Sequence, residues 1–300
     1  MRRDSTAYTL IAATVLCLLC SVVVATAASV LKPGIEANEE LKRQRNVLVA
    51  AGLFDPTKDD EATVPDVYEQ RVGQVLVNLG DGQVDHETEM SMYVPDEARE
   101  DPERSSSTDG ALPGWDTRED KAFAYLVRNA DDPERIDQIV LPVYGYGLWS
   151  TLYGYIALES DVRTIAGLTF YKHAETPGLG GEVDNPRWKE QWKGKLAYDE
   201  DGDPAVRIVK GGFDRDAPWA TYAVDGLSGA TITSNGVEKS LNYWLGDAGF
   251  GPFLDKVRGG EVEIPAPGEG PDPAGQNDDA AATPEELEGG EGAGIGSEES

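Results

Sequence analysis

A run of hydroxyl-bearing and small residues lies in the last third of the chain. It reads Asp225-Gly226-Leu227-Ser228-Gly229-Ala230-Thr231, with Thr233 and Ser234 close behind. Apolar residues then recur at the spacing of a helix with one buried face: Val237, Leu241, Trp244 and Leu245. The first amides of a helix lack partners within it, and the helix dipole favours negative charge there. The run therefore predicts a helix start that is suited to binding an anion such as phosphate, beside the Thr231 hydroxyl.

An ordinary helix cap explains the same residues. Serine and threonine side chains accept hydrogen bonds from the first helical amides, and either Thr233 or Ser234 would occupy the N-cap position. Gly226 and Gly229 permit close backbone approach or a positive φ. The residue types alone favour the cap over a ligand site.

Three other segments carry residues that suit a bound ligand. The segment from Glu175 to Gly180 contains Pro and Gly in a pattern that breaks regular structure, which is typical of an exposed turn. Trp149 lies beside a glycine-rich run and is either a core aromatic or a ligand contact. Lys210 either neutralises a phosphate near the helix start or is a solvated lysine at a strand end.

The remaining reactive residues do not form a site. His86 and His173 are far apart in sequence, and both cysteines, Cys17 and Cys20, lie in an apolar N-terminal run. We expect no metal, no disulfide in the soluble part and no catalytic residue in this chain. Neither a dinucleotide-binding fingerprint nor a phosphate-binding Walker loop is present, so a nicotinamide substrate would bind elsewhere.

The elements that would position these residues indicate an α+β domain. Segments 139–144, 151–158 and 164–171 are rich in β-branched and aromatic residues and predict strands of a twisted, mainly antiparallel sheet with flanking helices, and 206–210 is a further strand candidate. Asn185-Pro186 predicts a short helix over 187–193, and 250–257 predicts another. Residues 55–64 and 98–114 are predicted to be exposed loops around one short element near 67–79.

The N-terminus predicts a single transmembrane helix. No charged residue lies between Asp4 and Lys32, and 8–31 is apolar and long enough to span a bilayer. A cleaved signal peptide is the alternative, because Arg2-Arg3 precede the run and Ala25-Thr26-Ala27 suits a cleavage site. Past Pro33, an amphipathic helix is predicted to continue out of the membrane to about Gly52. We expect a cytoplasmic N-terminus and a periplasmic main domain in a bacterial inner membrane, although Lys and Arg on both sides leave the orientation open.

The charge of the chain is strongly acidic. The formal net charge is −29 over 300 residues, and residues 261–300 hold twelve acidic side chains with no Lys or Arg. That terminal composition predicts a disordered tail, and the overall charge excludes nucleic acid as a partner. The predicted organisation is an anchor over 1–32, a folded domain over 33–260 and an acidic tail over 261–300.

The motif at Thr231 resembles the flavinylation signature of the FMN-binding domains in redox-driven ion pumps. Further segments look like one family within that group, the NqrC subunits of the sodium-translocating NADH:quinone reductases. They are Pro142-Val143-Tyr144-Gly145-Tyr146-Gly147-Leu148-Trp149-Ser150-Thr151-Leu152-Tyr153-Gly154, Phe170 to Glu182 with its core Glu175-Thr176-Pro177-Gly178-Leu179-Gly180, Asp184-Asn185-Pro186-Arg187-Trp188, and Phe250-Gly251-Pro252-Phe253-Leu254.

The resemblance implies that a flavin transferase joins FMN through its phosphate to the hydroxyl of Thr231, with Thr233 as second choice. It also implies that the turn after Glu175 lies along the isoalloxazine ring, with Thr176 and Leu179 close to it. The residues implied or inferred to bind the cofactor are Trp149, Ser150, Glu175, Thr176, Gly178, Leu179, Gly180, Lys210, Asp225, Ser228, Gly229, Ala230, Thr231 and Thr233.

The function implied is electron transfer within a six-subunit membrane complex that oxidises NADH, reduces ubiquinone and exports sodium, with NADH and ubiquinone bound by other subunits. The RnfG subunit of the Rnf electron-transport complex shares two of the motifs and is the nearest alternative. A flavin-free assembly subunit and an envelope flavin reductase are the alternatives from other classes.

Overall fold

Residues 6–265 are described by the computed structural model. Six α-helices occur in this range: α1 (Thr6–Ala50), α2 (Val64–Arg71), α3 (Pro95–Glu100), α4 (Pro186–Glu190), α5 (Thr231–Leu245) and α6 (Gly251–Arg258). The strands are β1 (Val72–Asn78), β2 (Ser105–Ser107), β3 (Thr117–Glu119), β4 (Lys121–Arg128), β5 (Ile136–Tyr146), β6 (Thr151–Glu159), β7 (Ile165–Lys172), β8 (Arg207–Val209) and β9 (Ala223–Asp225).

The main sheet has five antiparallel strands in the order β1-β4-β5-β6-β7. Helix α5 packs on one face, over a core that includes Leu126, Leu141 and Trp244. The end of α1 and helix α2 cover the opposite face. This arrangement confirms the predicted α+β fold with a mainly antiparallel sheet and flanking helices.

Strand β4 contributes buried side chains to the hydrophobic cores on both faces of the sheet. Ala122, Ala124 and Leu126 point to the α5 side, whereas Phe123 and Tyr125 alternate with them toward α1. Because both sets are buried, the strand shows no alternation of apolar and polar residues. For that reason the sequence pattern did not predict a strand here.

Helix α1 is a single continuous helix of 45 residues. At about 1.5 Å per residue it is about 68 Å long, about twice the thickness of a hydrocarbon core. Its apolar N-terminal part has a mean hydropathy of 2.6 in its most apolar window, and that window is fully exposed. Its last turns are buried, with Val47 and Leu48 completely inaccessible to solvent. The predicted amphipathic continuation is thus confirmed as part of the same helix.

The loop predicted over 98–114 was partly wrong. Ala98 and Arg99 are buried at the end of α3, Leu112 is buried in the core, and the segment also contains β2. Its polar composition hid these contacts, because Arg99 is buried through pairing with Glu119 rather than through apolar character.

Most of the tail predicted over 261–300 lies outside the described residues. The part that is described, 261–265, runs beside β1, and the Cγ2 methyl of Ile264 lies against Gly73.

Candidate functional site

The site is built at one end of the sheet, where β5 turns into β6 and where α5 begins. Thr231 is the first residue of α5, and Ala230 holds the N-cap position without a side-chain hydrogen bond. The predicted N-cap at Thr233 or Ser234 was therefore wrong, since both residues lie inside the first turn. Within the described chain, the amides of the first three residues of α5 have no backbone acceptor.

The hydroxyl groups of this first turn have distinct roles. The Ser234 hydroxyl accepts a hydrogen bond from the amide of Leu227 at 3.0 Å, which fixes the preceding loop. Thr233 is completely buried and donates to a carboxylate oxygen of Glu175 at 2.7 Å. The side chain of Thr231 is exposed and makes no hydrogen bond to residues 6–265. Thr231 thus presents its hydroxyl to solvent beside unpaired helix amides.

Glu175 lies at the centre of the site. Its Oε1 accepts hydrogen bonds from three successive amides of the β5–β6 turn, those of Leu148 (3.0 Å), Trp149 (2.9 Å) and Ser150 (3.2 Å). Its Oε2 accepts the hydroxyl of Thr233. One carboxylate therefore ties the β5–β6 turn, its own loop and the start of α5 together.

The protonation state of Glu175 follows from these bonds. Burial by itself raises the pKa of the carboxyl, but the hydrogen bonds from Trp149, Thr233, Ser150 and Leu148 outweigh burial and hold the pKa below its usual range. Glu175 is therefore ionised at neutral pH. No Lys or Arg among residues 6–265 forms an ion pair with it.

Large apolar side chains around Thr231 are exposed. Trp149 is 64% exposed and Ile232, next to Thr231, is 57% exposed. Leu179 lies over the backbone of Gly229, whose φ of +73° a residue other than glycine would rarely adopt. Leu148 is exposed as well. The hydroxyl thus stands beside an apolar surface that suits one face of a planar ring.

The Glu175–Gly180 segment is the exposed turn that its composition predicted. The carbonyl of Thr176 accepts the amides of Leu179 (3.1 Å) and Gly181 (2.9 Å), and Gly178 has a φ of +77°. The turn is attached to the neighbouring one through Ser150, whose hydroxyl accepts the amide of Ala174 at 2.7 Å. Thr176 and Leu179 are exposed, whereas Gly180 is buried against Glu175.

Asp225 and Lys210 lie behind the loop that leads to Thr231. Strand β8 pairs in parallel with β9, so Val209 lies opposite Asp225, and exposed Lys210 follows directly. The carboxylate of Asp225 pairs with Arg215 through one oxygen, while its other oxygen is buried and unpartnered within the described chain. Ser228 is exposed in the loop between Asp225 and the helix.

Sequence reasoning missed Arg215, Leu148 and Ile232. Arg215 is the single basic residue between Gly211 and Ala230, so its charge close to Asp225 was a usable signal. Ile232 and Leu148 gave none, because a lone apolar residue next to a motif is most often part of the core.

The fold and site define a class of protein: an α+β domain on one apolar helix, with a threonine hydroxyl exposed at a helix start that suits a phosphate-bearing cofactor. A model of the FMN-binding domain family matches residues 147–246, which include both turns and the whole of α5. The chain is 45% identical to the NqrC subunit of the Na(+)-translocating NADH-quinone reductase of Pseudomonas aeruginosa over 262 residues, covering 87% of this chain and 99% of that protein. It is 42% identical to the same subunit of Vibrio alginolyticus, covering 82% and 93%. The chain belongs to the NqrC family of Na(+)-translocating NADH-quinone reductase subunits.

Solved structures agree with this assignment. The crystal structure of Shewanella oneidensis NqrC superposes with a TM-score of 0.67 at 35% identity, over 74% of this chain and 99% of that one. The crystal structure of the same subunit from Parabacteroides distasonis gives a TM-score of 0.55 at 26% identity, over 72% and 93%. Together with the apolar N-terminal helix, family membership identifies a membrane-anchored subunit of a larger complex.

Proposed function

We propose that this chain is the electron-carrying NqrC subunit of a membrane NADH:quinone reductase that couples electron flow to sodium export, with FMN joined covalently to Thr231. The observation that carries the proposal is the exposed Thr231 hydroxyl at the start of α5, beside amides that have no partner in residues 6–265. An ester phosphate on this oxygen would meet those amides and the positive end of the helix dipole. The family and the FMN-binding domain match support the choice of cofactor.

Accessibility favours Thr231 over Thr233. A transferase must bring a phosphoryl group to the attacking oxygen, and the oxygen of Thr233 is completely buried and already donates to Glu175. Attachment there would require the first turn of α5 to unfold. Attachment to Thr231 requires no such change, because its side chain points to solvent.

The surrounding residues fit the rest of the cofactor. Trp149, Leu179 and Ile232 offer exposed apolar surface for a ring system, and Thr176 lies in the same turn as Leu179. The residues we assign to hold the flavin directly or through the adjoining backbone are Trp149, Ser150, Thr176, Gly178, Leu179, Gly180, Ser228, Gly229, Ala230 and Thr231. Lys210 and Asp225 would lie on the phosphate side, where Lys210 adds positive charge.

The redox chemistry would belong to FMN, and binding of the substrates would belong to other subunits. When bound, FMN supplies one- and two-electron redox chemistry, and the protein holds it in place at the membrane surface. NADH and the quinone are assigned to other subunits of the complex, and attachment of FMN to a separate flavin transferase. A covalent bond keeps the carrier loaded in both oxidation states.

The anchor sets the position of this domain. We propose that α1 spans the bacterial inner membrane once, with a cytoplasmic N-terminus and the domain in the periplasm. The organisation proposed is an anchor over 1–32, an FMN-binding domain over 33–260 and an acidic tail over 261–300. Because α1 continues without interruption into the core at Leu48, the domain is joined to the anchor by helix rather than by a loose linker.

Intact mass after co-expression with a flavin transferase tests the attachment. The unsubstituted chain should gain the mass of one FMN less one water, since the Thr231 oxygen loses its hydrogen and replaces one phosphate hydroxyl of FMN. We expect the transferase to take the FMN from a diphosphate-activated donor, whose other phosphate is the leaving group. Thr231→Ala should abolish the gain, while Thr231→Ser should keep part of it because a hydroxyl remains. Survival of the full adduct in Thr231→Ala would refute attachment at this residue. Co-purification of the chain with the other subunits tests its place in the complex.

A further inference from the structure

The carboxylate of Glu175 is buried among protein groups and joins two parts of the flavin site. We propose that Glu175 is a positioning residue: its side chain assembles the flavin site by holding the Leu148–Ser150 turn against the first turn of α5. This inference rests on the proposed function for the identity of the ligand. The arrangement of the site itself is a property of the protein without its cofactor.

The contacts of Glu175 show why it acts through other residues. The side chain is 5% exposed, and both oxygens already accept hydrogen bonds from protein groups. A carboxylate with its acceptor positions used in this way has little to offer a ligand directly. Two groups of the site face outward, and Glu175 reaches each of them indirectly. It contacts the indole of Trp149 through the Trp149 backbone amide, and it contacts Thr231 through Thr233 in the same helical turn.

The first link is to the β5–β6 turn. Three successive amides point at a single oxygen of Glu175, at 3.0, 2.9 and 3.2 Å. Amides in such an array repel one another unless an anion lies among them, and a negatively charged acceptor makes each bond about twice as strong as a neutral one. The carboxylate therefore determines where the backbone of Trp149 lies, and with it the exposed indole.

The second link is to α5. Thr233 donates to the other oxygen of Glu175 at 2.7 Å, and Thr231 lies two residues earlier in the same helical turn. Any shift of Glu175 is passed to this turn through the only side-chain hydrogen bond that Thr233 makes within residues 6–265. The distance between the exposed Thr231 hydroxyl and the Leu148–Ser150 turn thus depends on the side chain of Glu175.

Two glycines fix the carboxylate in position. A Cβ atom on Gly180 would lie 2.5 Å from Oε2, and one on Gly147 would lie 2.7 Å from Oε1. Both distances are far below van der Waals contact, so only glycine leaves room for Glu175 at these two positions. The carboxylate is therefore enclosed on both sides, and neither oxygen can move away from its donors without rearranging the turns.

Amide hydrogen exchange on the full chain without flavin tests the positioning role. In Glu175→Gln one oxygen still accepts, but the charge is lost, and in Glu175→Ala both acceptors are lost. Exchange at Leu148, Trp149 and Ser150 should rise at least about tenfold in the glutamine variant and further in the alanine variant. Exchange in the middle of the sheet, for example at Leu126, should not change. Glu182→Gln is the matched control, because the Glu182 side chain lies in the next turn and bonds only to Asn185 among the described residues.

The rate of FMN attachment by a purified flavin transferase is the second readout. We expect the order unsubstituted, Glu175→Gln, Glu175→Ala, with a loss of at least about tenfold at each step, and a changed visible circular dichroism of the attached flavin. Thr233→Val covers the case in which Glu175→Ala does not fold. Thr233→Val keeps the charge of Glu175 and its hydrogen bonds to the three amides. The amides of the Leu148–Ser150 turn should therefore stay protected from exchange, while FMN attachment to Thr231 slows.

The outcomes separate the two proposals. If the unsubstituted chain takes up no flavin, the proposed function fails, whereas the exchange pattern of the apoprotein still tests Glu175. If flavin attaches to the unsubstituted chain and to Glu175→Gln and Glu175→Ala at equal rates, the positioning role is wrong. A rise in exchange that is uniform across the sheet would also overturn it, since that pattern belongs to general loss of stability.

Discussion

Thr231 and Thr233 lie two residues apart in the first turn of α5, yet their hydroxyl groups lie in opposite environments. Thr233 is completely buried and bonded to Glu175, whereas Thr231 is exposed. Thr233→Val keeps the shape of the side chain but leaves a buried carboxylate oxygen without its donor. We expect the free energy of unfolding to fall by about 1–3 kcal/mol, measured by urea denaturation, while the flavin adduct still forms on Thr231.

Thr231→Val should have the opposite effects: little change in stability, but loss of the flavin adduct. Its side chain has no hydrogen bond within residues 6–265, so the free energy of unfolding should change by no more than about 0.5 kcal/mol. The adduct should be absent from the intact mass. A large loss of stability in Thr231→Val, or none in Thr233→Val, would contradict the assignment of the two hydroxyls.

The pH dependence of stability should reveal the charge on Glu175. Hydrogen bonds to the ionised form lower the pKa of Glu175 in the folded protein, relative to about 4.3 in an unfolded chain. The stabilisation is therefore fully present above about pH 4.3 and is lost as the pH falls through the folded pKa. The unsubstituted protein should lose stability below about pH 4 more steeply than Glu175→Gln.

Denaturant midpoints of the two proteins across this pH range measure the difference. Parallel curves would mean that Glu175 has the same pKa in the folded and unfolded chains.

A buried ion pair lies beneath the same end of the sheet. Arg99 and Glu119 are 6% and 4% exposed, and they are joined at 3.1 Å. The guanidinium lies 4.3 Å from the ring centre of Tyr144, whose hydroxyl donates to Glu119 at 2.7 Å. Glu119→Ala would leave a buried positive charge whose one remaining ion-pair partner among residues 6–265 is the exposed Asp96. We expect a loss of about 3–5 kcal/mol by chemical denaturation.

The surface pair between Glu190 and Lys193 is the control for this prediction. Both partners are more than half exposed, so Glu190→Ala should cost at most about 1 kcal/mol. The double substitution Arg99→Met with Glu119→Leu should lose less than the sum of the two single substitutions, because neither charge is then left alone. Additive losses would show that the two side chains do not depend on each other.

Sequence patterns predicted the elements that have one clear periodicity. Strands β5 to β7, the apolar part of α1 and the buried face of α5 were expected from apolar spacing, and the structure contains them. Strand β4 was missed, because burial on both faces removes the alternation that marks a strand. The choice of helix start was wrong for a related reason. A Ser or Thr before a helix suggests a cap, and only the fold shows that Thr233 and Ser234 bond to Glu175 and Leu227 instead.

The sequence predicted which segments form the candidate site, but not the contacts between their side chains. The three motifs were recognisable because glycine, proline and hydroxyl residues cluster in each of them. That one carboxylate joins them is a tertiary property, since Thr233 is 58 residues from Glu175 along the chain. The sequence prediction grouped Glu175 with the flavin contacts, and its burial and four hydrogen-bond donors are the observations on which we propose a positioning role for it instead.

The end of α1 belongs to the core of the domain, and two fragments of the chain can test this. Val47, Leu48, Ala50 and Ala51 pack on the sheet face opposite to α5. A fragment of residues 36–300 keeps these contacts and removes the apolar span, so it should fold and melt cooperatively. A fragment of residues 52–300 exposes the face that α1 covers, and it should aggregate or melt at a much lower temperature.

Leu48→Ala in the longer fragment isolates one of these contacts. Leu48 is completely buried, and its truncation should lower the free energy of unfolding by about 2–5 kcal/mol, measured by urea denaturation. Lys42→Ala, at an exposed side chain on the same helix, should change it by no more than about 0.5 kcal/mol. Equal stabilities of the 36–300 and 52–300 fragments would mean that α1 is only a tether. The expected difference would instead make the anchor and the flavin-binding domain one packed unit, because the helix that carries the apolar span would also complete the hydrophobic core on the sheet face opposite α5.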